Sequence, residues 1–356
     1  MMKAFLAAVA GSIALTCAAS PSLLAQSKVV SEKERLSVLE RAQVWRPTKI
    51  AAMDLRRGPQ AGAFAPGAVV NCEWVDKKFG GRTPKFGCRR QGDKEVLKVR
   101  YGRDNGEVYA GVAATRLLWA LGFGADGLYP VRVICRGCPA ELQEQGTVGE
   151  GTITFDVAAI ERPFAGEDIE SREAGAGWSW KELSEVHQDA GGASVSQLDA
   201  LKLLAVMLQH SDNKPEQQRL VCLDGAESRR DLAKCRTPFI FIHDLGITFG
   251  RANLRNHQDV GSANFEEWSK TKVWRNAEHC VGNLTISQSG SLDDPVISEG
   301  GRRFLSDLLA QLTDGQLRDL FTVARFAEKP TGGAPIEAWV SAFKAKREEI
   351  ASNPCR

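Results

Sequence analysis

Four groups of residues in this 356-residue chain have the types and spacing that chemistry on phosphate would use. The sharpest is Phe239-Ile240-Phe241-Ile242-His243-Asp244-Leu245-Gly246, where four apolar residues run straight into His-Asp and then glycine. A carboxylate at the end of a buried strand, followed by a glycine turn, is placed to hold Mg2+ against phosphate oxygens. The second is Gln209-His210-Ser211-Asp212-Asn213-Lys214-Pro215-Glu216-Gln217, directly after an apolar helical run. Asp212 offers a general base, Lys214 a charge to neutralise a transferred phosphate, and Gln217 an amide oxygen for a metal. The third is Lys98, alternating with apolar neighbours in Val96-Leu97-Lys98-Val99. A lysine there can hold nucleotide phosphates once a carboxylate orients it, and Glu107, in the first turn of the next helix, is the expected partner. The fourth is the glycine loop Phe79-Gly80-Gly81-Arg82-Thr83-Pro84-Lys85-Phe86, where glycines between two strands let backbone N–H groups approach phosphate. Taken singly, each has an ordinary reading. These are an exposed strand lysine with a dipole-friendly glutamate, a hairpin turn, a solvated loop with Asp212 as a cap, and a strand-end turn. Their order along the chain is what points to phosphoryl transfer.

The elements that must position these groups are legible as patterns. Strands are predicted over Val69–Val75, Lys85–Arg90 and Val96–Arg100, separated by the glycine loop and by Gln91-Gly92-Asp93. A helix follows from an Asn105 cap through Val112, Leu117 and Leu121 to Gly122. Further strands are predicted at Tyr129–Ile134, Thr152–Ile160 and Pro238–Ile242. Residues 27 to 45 read as helical, with Ser31 and Glu34 in a capping-box pattern. Ser196 and Asp199 suggest a second capping box before a helix ending near His210. Three more helical patterns lie at about 298–312, 314–328 and 335–351. The fold class is therefore α+β, as a two-lobed arrangement. Residues 1–26 form an export signal, 27–68 a helix and irregular segment, 69–165 a small β-rich lobe with one helix, and 166–356 a mostly helical lobe.

This set resembles the atypical protein-kinase-like superfamily, in particular the HipA-type, phosphoinositide-kinase-like and secreted Golgi-type kinases. Gly81-Arg82-Thr83-Pro84-Lys85 resembles the HipA-type phosphate loop. Lys98 matches the phosphate-binding lysine and Glu107 its helix partner. Asp212 matches the catalytic aspartate, and Asp244-Leu245-Gly246 the Asp-Phe-Gly position. The resemblance covers roughly residues 69 to 250. It implies ATP or another nucleotide as cofactor with Mg2+ or Mn2+, bound through Gly80, Gly81, Lys85, Lys98 and Glu107, with Gln217 and Asp244 on the metal. Asp212 and Lys214 are then the catalytic pair. Gln217 stands where the family has asparagine, and the usual Arg or second His beside Asp212 is missing. A nucleotide-binding pseudokinase or noncatalytic binding module is therefore an alternative, and so is a metal-dependent phosphohydrolase using His243-Asp244. The acceptor is open among protein, sugar, lipid and small molecule, and AMP transfer is open beside phosphate transfer.

Location and redox setting follow from the ends and the cysteines. Lys3, the apolar run Phe5 to Cys17 and small residues around Pro21 have the layout of a secretory signal, cleaved near Ala25 or Gln26. The expected site is periplasmic or extracellular, with no membrane span in the mature chain. Of nine cysteines, removing Cys17 leaves eight, an even number suited to disulfides. Local pairing is the simplest expectation for Cys72–Cys88 and Cys222–Cys235, Cys280 with Cys355 would then tie down the C-terminus, and Cys135-Arg136-Gly137-Cys138 reads as a structural bridge rather than a redox motif, with the connectivity left open by the sequence. Losing Lys3 leaves 45 basic against 44 acidic residues, or +1, which gives no electrostatic footprint for nucleic acid. His187, His257 and His279 are too scattered to argue zinc. Trp178, Trp180, Trp268 and Trp274 are expected in the core rather than on a partner surface.

Overall fold

The computed structural model of the chain describes residues 30–59, 64–171, 177–224, 232–250, 261–285 and 290–355. The expected export signal and His257 lie outside the described residues. Helix α1 spans Glu32–Leu39 and carries the Ser31/Glu34 capping box. The strands β1 (Val69–Val75), β2 (Lys85–Arg89) and β3 (Leu97–Tyr101) follow. Alternation along β3 turns Leu97, Val99 and Tyr101 to one face and Lys98 and Arg100 to the other.

Helix α2 (Gly106–Leu121) starts at the Asn105 cap and stops at Gly122, whose φ of 89° needs no Cβ. After it come β4 (Gly124–Ala125), β5 (Gly127–Arg136), β6 (Thr147–Gly149) and β7 (Thr152–Arg162). The sheet expected here closes on itself. β1 pairs β2, β2 pairs β3, β3 pairs β7, and β7 pairs β5, all antiparallel, and β5 lies parallel to β1. The result is a five-stranded barrel with β6 laid on β7. Its interior is apolar, packed by Phe86, Val99, Tyr101, Val131, Phe155 and Ile160. The Phe86, Tyr101 and Phe155 rings lie 4.8–5.4 Å apart. Barrel closure is a feature the linear strand pattern does not encode, because it depends on the β3–β7 register.

The rest of the chain is helix-rich around a second small sheet. β8 (Glu167–Asp168), β9 (Gln218–Cys222) and β10 (Pro238–Ile242) join β4 in the order β4-β10-β9-β8. Helices α3 (Val195–Leu208), α4 (Phe265–Lys270), α5 (Glu299–Ala310), α6 (Asp314–Val323) and α7 (Ile336–Ala351) pack around it. A short hairpin of β11 (Trp274–Asn276) and β12 (Val281–Gly282) lies between α4 and α5. The α3 capping box is Ser194 with Gln197, not Ser196 with Asp199, because the helix begins earlier than its apolar stripe. Asp199 instead accepts from the Ser298 backbone and tethers α3 to α5.

Every residue of α2 except Trp119 is buried. A helix apolar on all sides must have protein on all sides. It touches barrel strands on one flank and α6 on the other, and its apolar residues join the core of α1 and α3–α7 rather than the barrel interior. The N-terminal segment is stitched to the second half, with Val30 bridging Ser171 and Gln43 bridging Phe239. Trp178, Trp180, Trp268 and Trp274 are all buried. Among the described residues no helix is long and apolar enough to cross a membrane.

All four expected cysteine pairs stand together: Cys72–Cys88, Cys135–Cys138, Cys222–Cys235 and Cys280–Cys355, with Cα separations of 5.5–5.8 Å. Each native bridge typically contributes ~2–4 kcal/mol. Reduction should therefore lower the melting temperature by well over ten degrees, and alkylation of the unreduced protein should modify none of these eight cysteines. Eight alkylated thiols by intact mass, or an unchanged melting curve after reduction, would contradict the bridged state.

Candidate functional site

The β9–β10 register brings two of the polar groups side by side. Gln218 lies opposite Ile242, so the last residue of the Asp212 loop meets the residues that follow β10. The Gln217 carbonyl accepts from the His243 N–H at 2.7 Å and from the Asp244 N–H at 3.4 Å. Within the loop, Gln217 Nε2 donates to Asp212 Oδ2 at 2.9 Å, and Lys214 Nζ lies 3.5 Å from Asp212 Oδ1. The loop is held from beneath by Asn213, fully buried, whose Oδ1 accepts from the Ser291 and Leu292 N–H groups. Its Nδ2 donates to the His210 and Leu292 carbonyls. Asn213 is thus the clamp that frees Asp212, Lys214 and Gln217 to face outward, all partly exposed.

The pairing expected for Lys98 does not form. Lys98 Nζ meets Glu161 Oε1 at 2.8 Å, because the antiparallel β3–β7 register sets Lys98 directly opposite Glu161. Glu107 is taken by Arg100, whose Nη1 donates to Oε2 at 2.7 Å. Arg100 shares with Lys98 the face of β3 turned away from the barrel interior and is one short turn from the start of α2, so its longer side chain reaches Glu107 first. Arg100 also donates to Glu161 from Nε and Nη2, and to Asp244 Oδ2 at 2.9 Å. Asp244 Oδ1 accepts from the Gly246 N–H at 2.9 Å. The absence of a side chain at Gly246 is required, since a Cβ would stand 2.9 Å from the Glu107 side chain. Lys85, opposite Arg100 on β2, curls back to donate to the Gly80 carbonyl and closes the Gly80-Gly81 turn. Phe79 of the same loop covers Lys98, with Nζ 5.9 Å from the ring centroid.

Three cations (Lys85, Lys98, Arg100) therefore face three carboxylates (Glu107, Glu161, Asp244), and their charges balance. Burial pushes the Glu107 carboxyl up from its ordinary value, against the pull of Arg100 and a hydrogen bond from Thr83. Burial would also raise Asp244, but the Arg100 guanidinium outweighs it and holds that carboxyl well below the usual range. Burial lowers the Lys85 ammonium, and Arg100 adds to the effect. The ionised form of Asp244 is thus secured at any physiological pH, as a metal ligand needs.

The oxygens expected to hold a divalent cation are the Asp244 carboxylate and the Gln217 amide oxygen; the two residues meet here through the Gln217 carbonyl and the Asp244 N–H, and Arg100 and the Gly246 N–H each hold one Asp244 carboxylate oxygen. With Nε2 turned to Asp212, Oε1 is the Gln217 atom left to face an ion, and this all-oxygen pair suits Mg2+ or Mn2+. A second set, Asp126, Glu161 and His243, places its ligand atoms within 4.8 Å of one another. There His243 Nδ1 is 2.6 Å from Asp126 Oδ2, and both Glu161 oxygens are already held by Lys98 and Arg100.

Sequence reading missed Arg100, Glu161 and Asp126. Arg100 carried one usable signal, its i+2 spacing from Lys98 on a strand. The Cys135–Cys138 bridge joins the end of β5 to the loop that follows it.

No protein-family model matches the chain, and no curated protein sequence matches it. One solved structure with a similar outline is a Helicobacter pylori proinflammatory kinase, CtkA, at 11% identity and a TM-score of 0.42, covering 81% of this chain and 95% of that one. A TM-score of this size leaves the reading of the site to its own geometry.

His210 precedes Asp212 and is buried beneath the loop. Its ring faces the Ile247 backbone in geometry too poor for a full hydrogen bond, and neither ring nitrogen has another partner. Burial lowers its pKa from 6.5 to about 4. A base with a folded pKa below its unfolded value confers full stability above the unfolded value and loses it as pH falls from 6.5 towards 4. His210→Phe should flatten that acid limb in urea melts between pH 7 and 4. An unchanged slope would mean that His210 does not hold the loop as a neutral ring.

Proposed function

We propose that this chain is a kinase-like phosphotransferase working on a metal–nucleotide complex, in an oxidising compartment outside the cytoplasm. The observation that carries the reading is an unbroken run of direct contacts. It passes from Asp212 through Gln217 to the Asp244 backbone, and from the Asp244 carboxylate through Arg100 to Glu107, Glu161 and Lys98. In this reading the run supplies a base in Asp212, oxygens for a cation in Asp244 and Gln217, and cations for phosphate in Lys98 and Lys85, the parts that phosphoryl transfer requires.

In this reading Lys98 and Lys85 hold the nucleotide phosphates under the Gly80-Gly81 turn. Bound at Asp244 and Gln217, Mg2+ or Mn2+ would neutralise charge on the phosphate oxygens. Asp212 accepts the proton of the acceptor hydroxyl as its oxygen bonds to the γ-phosphorus. The bond to the bridging oxygen breaks, and the nucleoside diphosphate leaves. Lys214, 3.5 Å from Asp212, offsets charge on the group in flight. The four disulfide pairs support a location outside the reducing cytoplasm.

A pseudokinase is the second reading, favoured by Gln217 in the asparagine position and by the Arg100 guanidinium on Asp244. A phosphohydrolase using His243 with Asp244 has less support, because His243 turns to Asp126 while Asp244 turns to Arg100.

Nucleotide binding to the mature chain, measured with and without Mg2+ or Mn2+, separates these readings when joined to two variants. Asp212→Ala should keep nucleotide binding and lose turnover by ~10²–10⁴. Asp244→Ala should lose the metal-dependent part of binding. Wild-type transfer in both variants, or no nucleotide binding under any condition, refutes the phosphotransferase. Binding without turnover on any acceptor establishes the pseudokinase.

A further inference from the structure

β3 carries two cations on the face turned away from the barrel interior, and their surroundings are unlike. Arg100 is 1% exposed and bonds within the protein from four of its five N–H groups. Lys98 is 19% exposed and has one carboxylate partner, Glu161. The carboxylates that Arg100 gathers come from three separate elements: Glu107 from α2, Glu161 from β7, and Asp244 from the turn after β10. A planar guanidinium can bridge three carboxylates at once, whereas an ammonium is a compact point charge with a shorter reach.

We propose that Arg100 is the positioning residue of this site. It holds Glu107, Glu161 and Asp244 in working arrangement before nucleotide or metal arrives, and the phosphates are met by Lys98 and Lys85 alone. The lysine–glutamate pair expected from sequence is thereby split in two. Arg100 performs the orienting half from inside the protein, and the lysines perform the phosphate half at the cleft. α2 and the Asp244 turn are then locked to the barrel without any activating modification or partner. This rests on the phosphotransferase reading.

The test is equilibrium binding of a fluorescent ATP analogue to the mature, disulfide-intact chain, with and without Mn2+. The quantity of interest is the ratio of the two affinities, which a merely structural role would not move. Arg100→Lys should keep metal-free affinity within about threefold and shrink the Mn2+ ratio by about tenfold or more, since Asp244 is no longer aimed. Lys98→Ala should do the reverse, lowering affinity by roughly tenfold in both conditions, the size of one charge-assisted hydrogen bond, with the ratio kept. If Arg100→Lys loses metal-free affinity as Lys98→Ala does, Arg100 is a phosphate contact and the proposal is wrong. An unchanged ratio in Arg100→Lys also overturns it. Should Arg100→Lys not fold, Glu107→Gln removes one anchor of the guanidinium, and the same loss of ratio is expected. A wild type that binds no analogue defeats the underlying phosphotransferase reading, an outcome distinct from any of these because the Lys98→Ala comparison is then silent too.

Discussion

The Arg100 guanidinium and the three carboxylates around it are the junction through which the parts of this molecule meet. The barrel strands send Arg100 and Glu161 to it, the buried helix Glu107 and the loop after β10 Asp244. Such a cluster is a poor source of stability, because removing four charges from water costs several kcal/mol per ion before any attraction is counted. Stability must come from elsewhere, from the aromatic barrel interior and the apolar core around α2. What the cluster supplies is position. Of the three carboxylates that share Arg100, burial drives Glu107 up against the guanidinium's pull, while Glu161 and Asp244 are held down. The same cation thus meets a different balance of burial and charge at each carboxyl.

That junction depends on two strand registers. On one side, β3 against β7 sets Lys98 across from Glu161 and leaves Arg100 pointing to the start of α2. On the other, β9 against β10 sets the end of the Asp212 loop against Asp244. A slip of one residue in either pair would turn the charged groups to the wrong face. Barrel closure removes that freedom for β3 and β7, since each is paired on both sides. The Cys222–Cys235 bridge does the same for β9 and β10, because Cys222 sits opposite Pro238, three residues after Cys235.

Much of this was legible in the residues themselves. Runs such as Val69–Val75 and Pro238–Ile242 are bounded by turn residues and match the observed strands end to end. The Asn105 and Gly122 punctuation marked α2, and local spacing pointed to the Cys72–Cys88 and Cys222–Cys235 pairs, while Cys280–Cys355, 75 residues apart, followed only from what was left over. Legibility failed where long-range register decides. Glu107 was a sound choice of partner on β3, but nothing local says whether Lys98 or Arg100 wins it. Glu161 sits 63 residues from Lys98, and its role exists only once β7 lies beside β3. Barrel closure was hidden for the same reason. Asn213 shows the converse, a polar residue within the most suggestive loop that serves only to hold that loop down.

The closed barrel also limits how this protein can recognise another chain. A sheet edge offers a row of unpaired N–H and C=O groups on which an extended peptide can add as a further strand. Among the described residues β1, β2, β3, β5 and β7 are each paired with two neighbours over part of their length, and the strand laid outside them, β6, is three residues long. The second sheet ends in β4 and β8, of two residues each. Another polypeptide would find little backbone template on these two sheets. Its selection would fall to side chains and loops, where specificity can change residue by residue without disturbing the hydrogen-bonded frame.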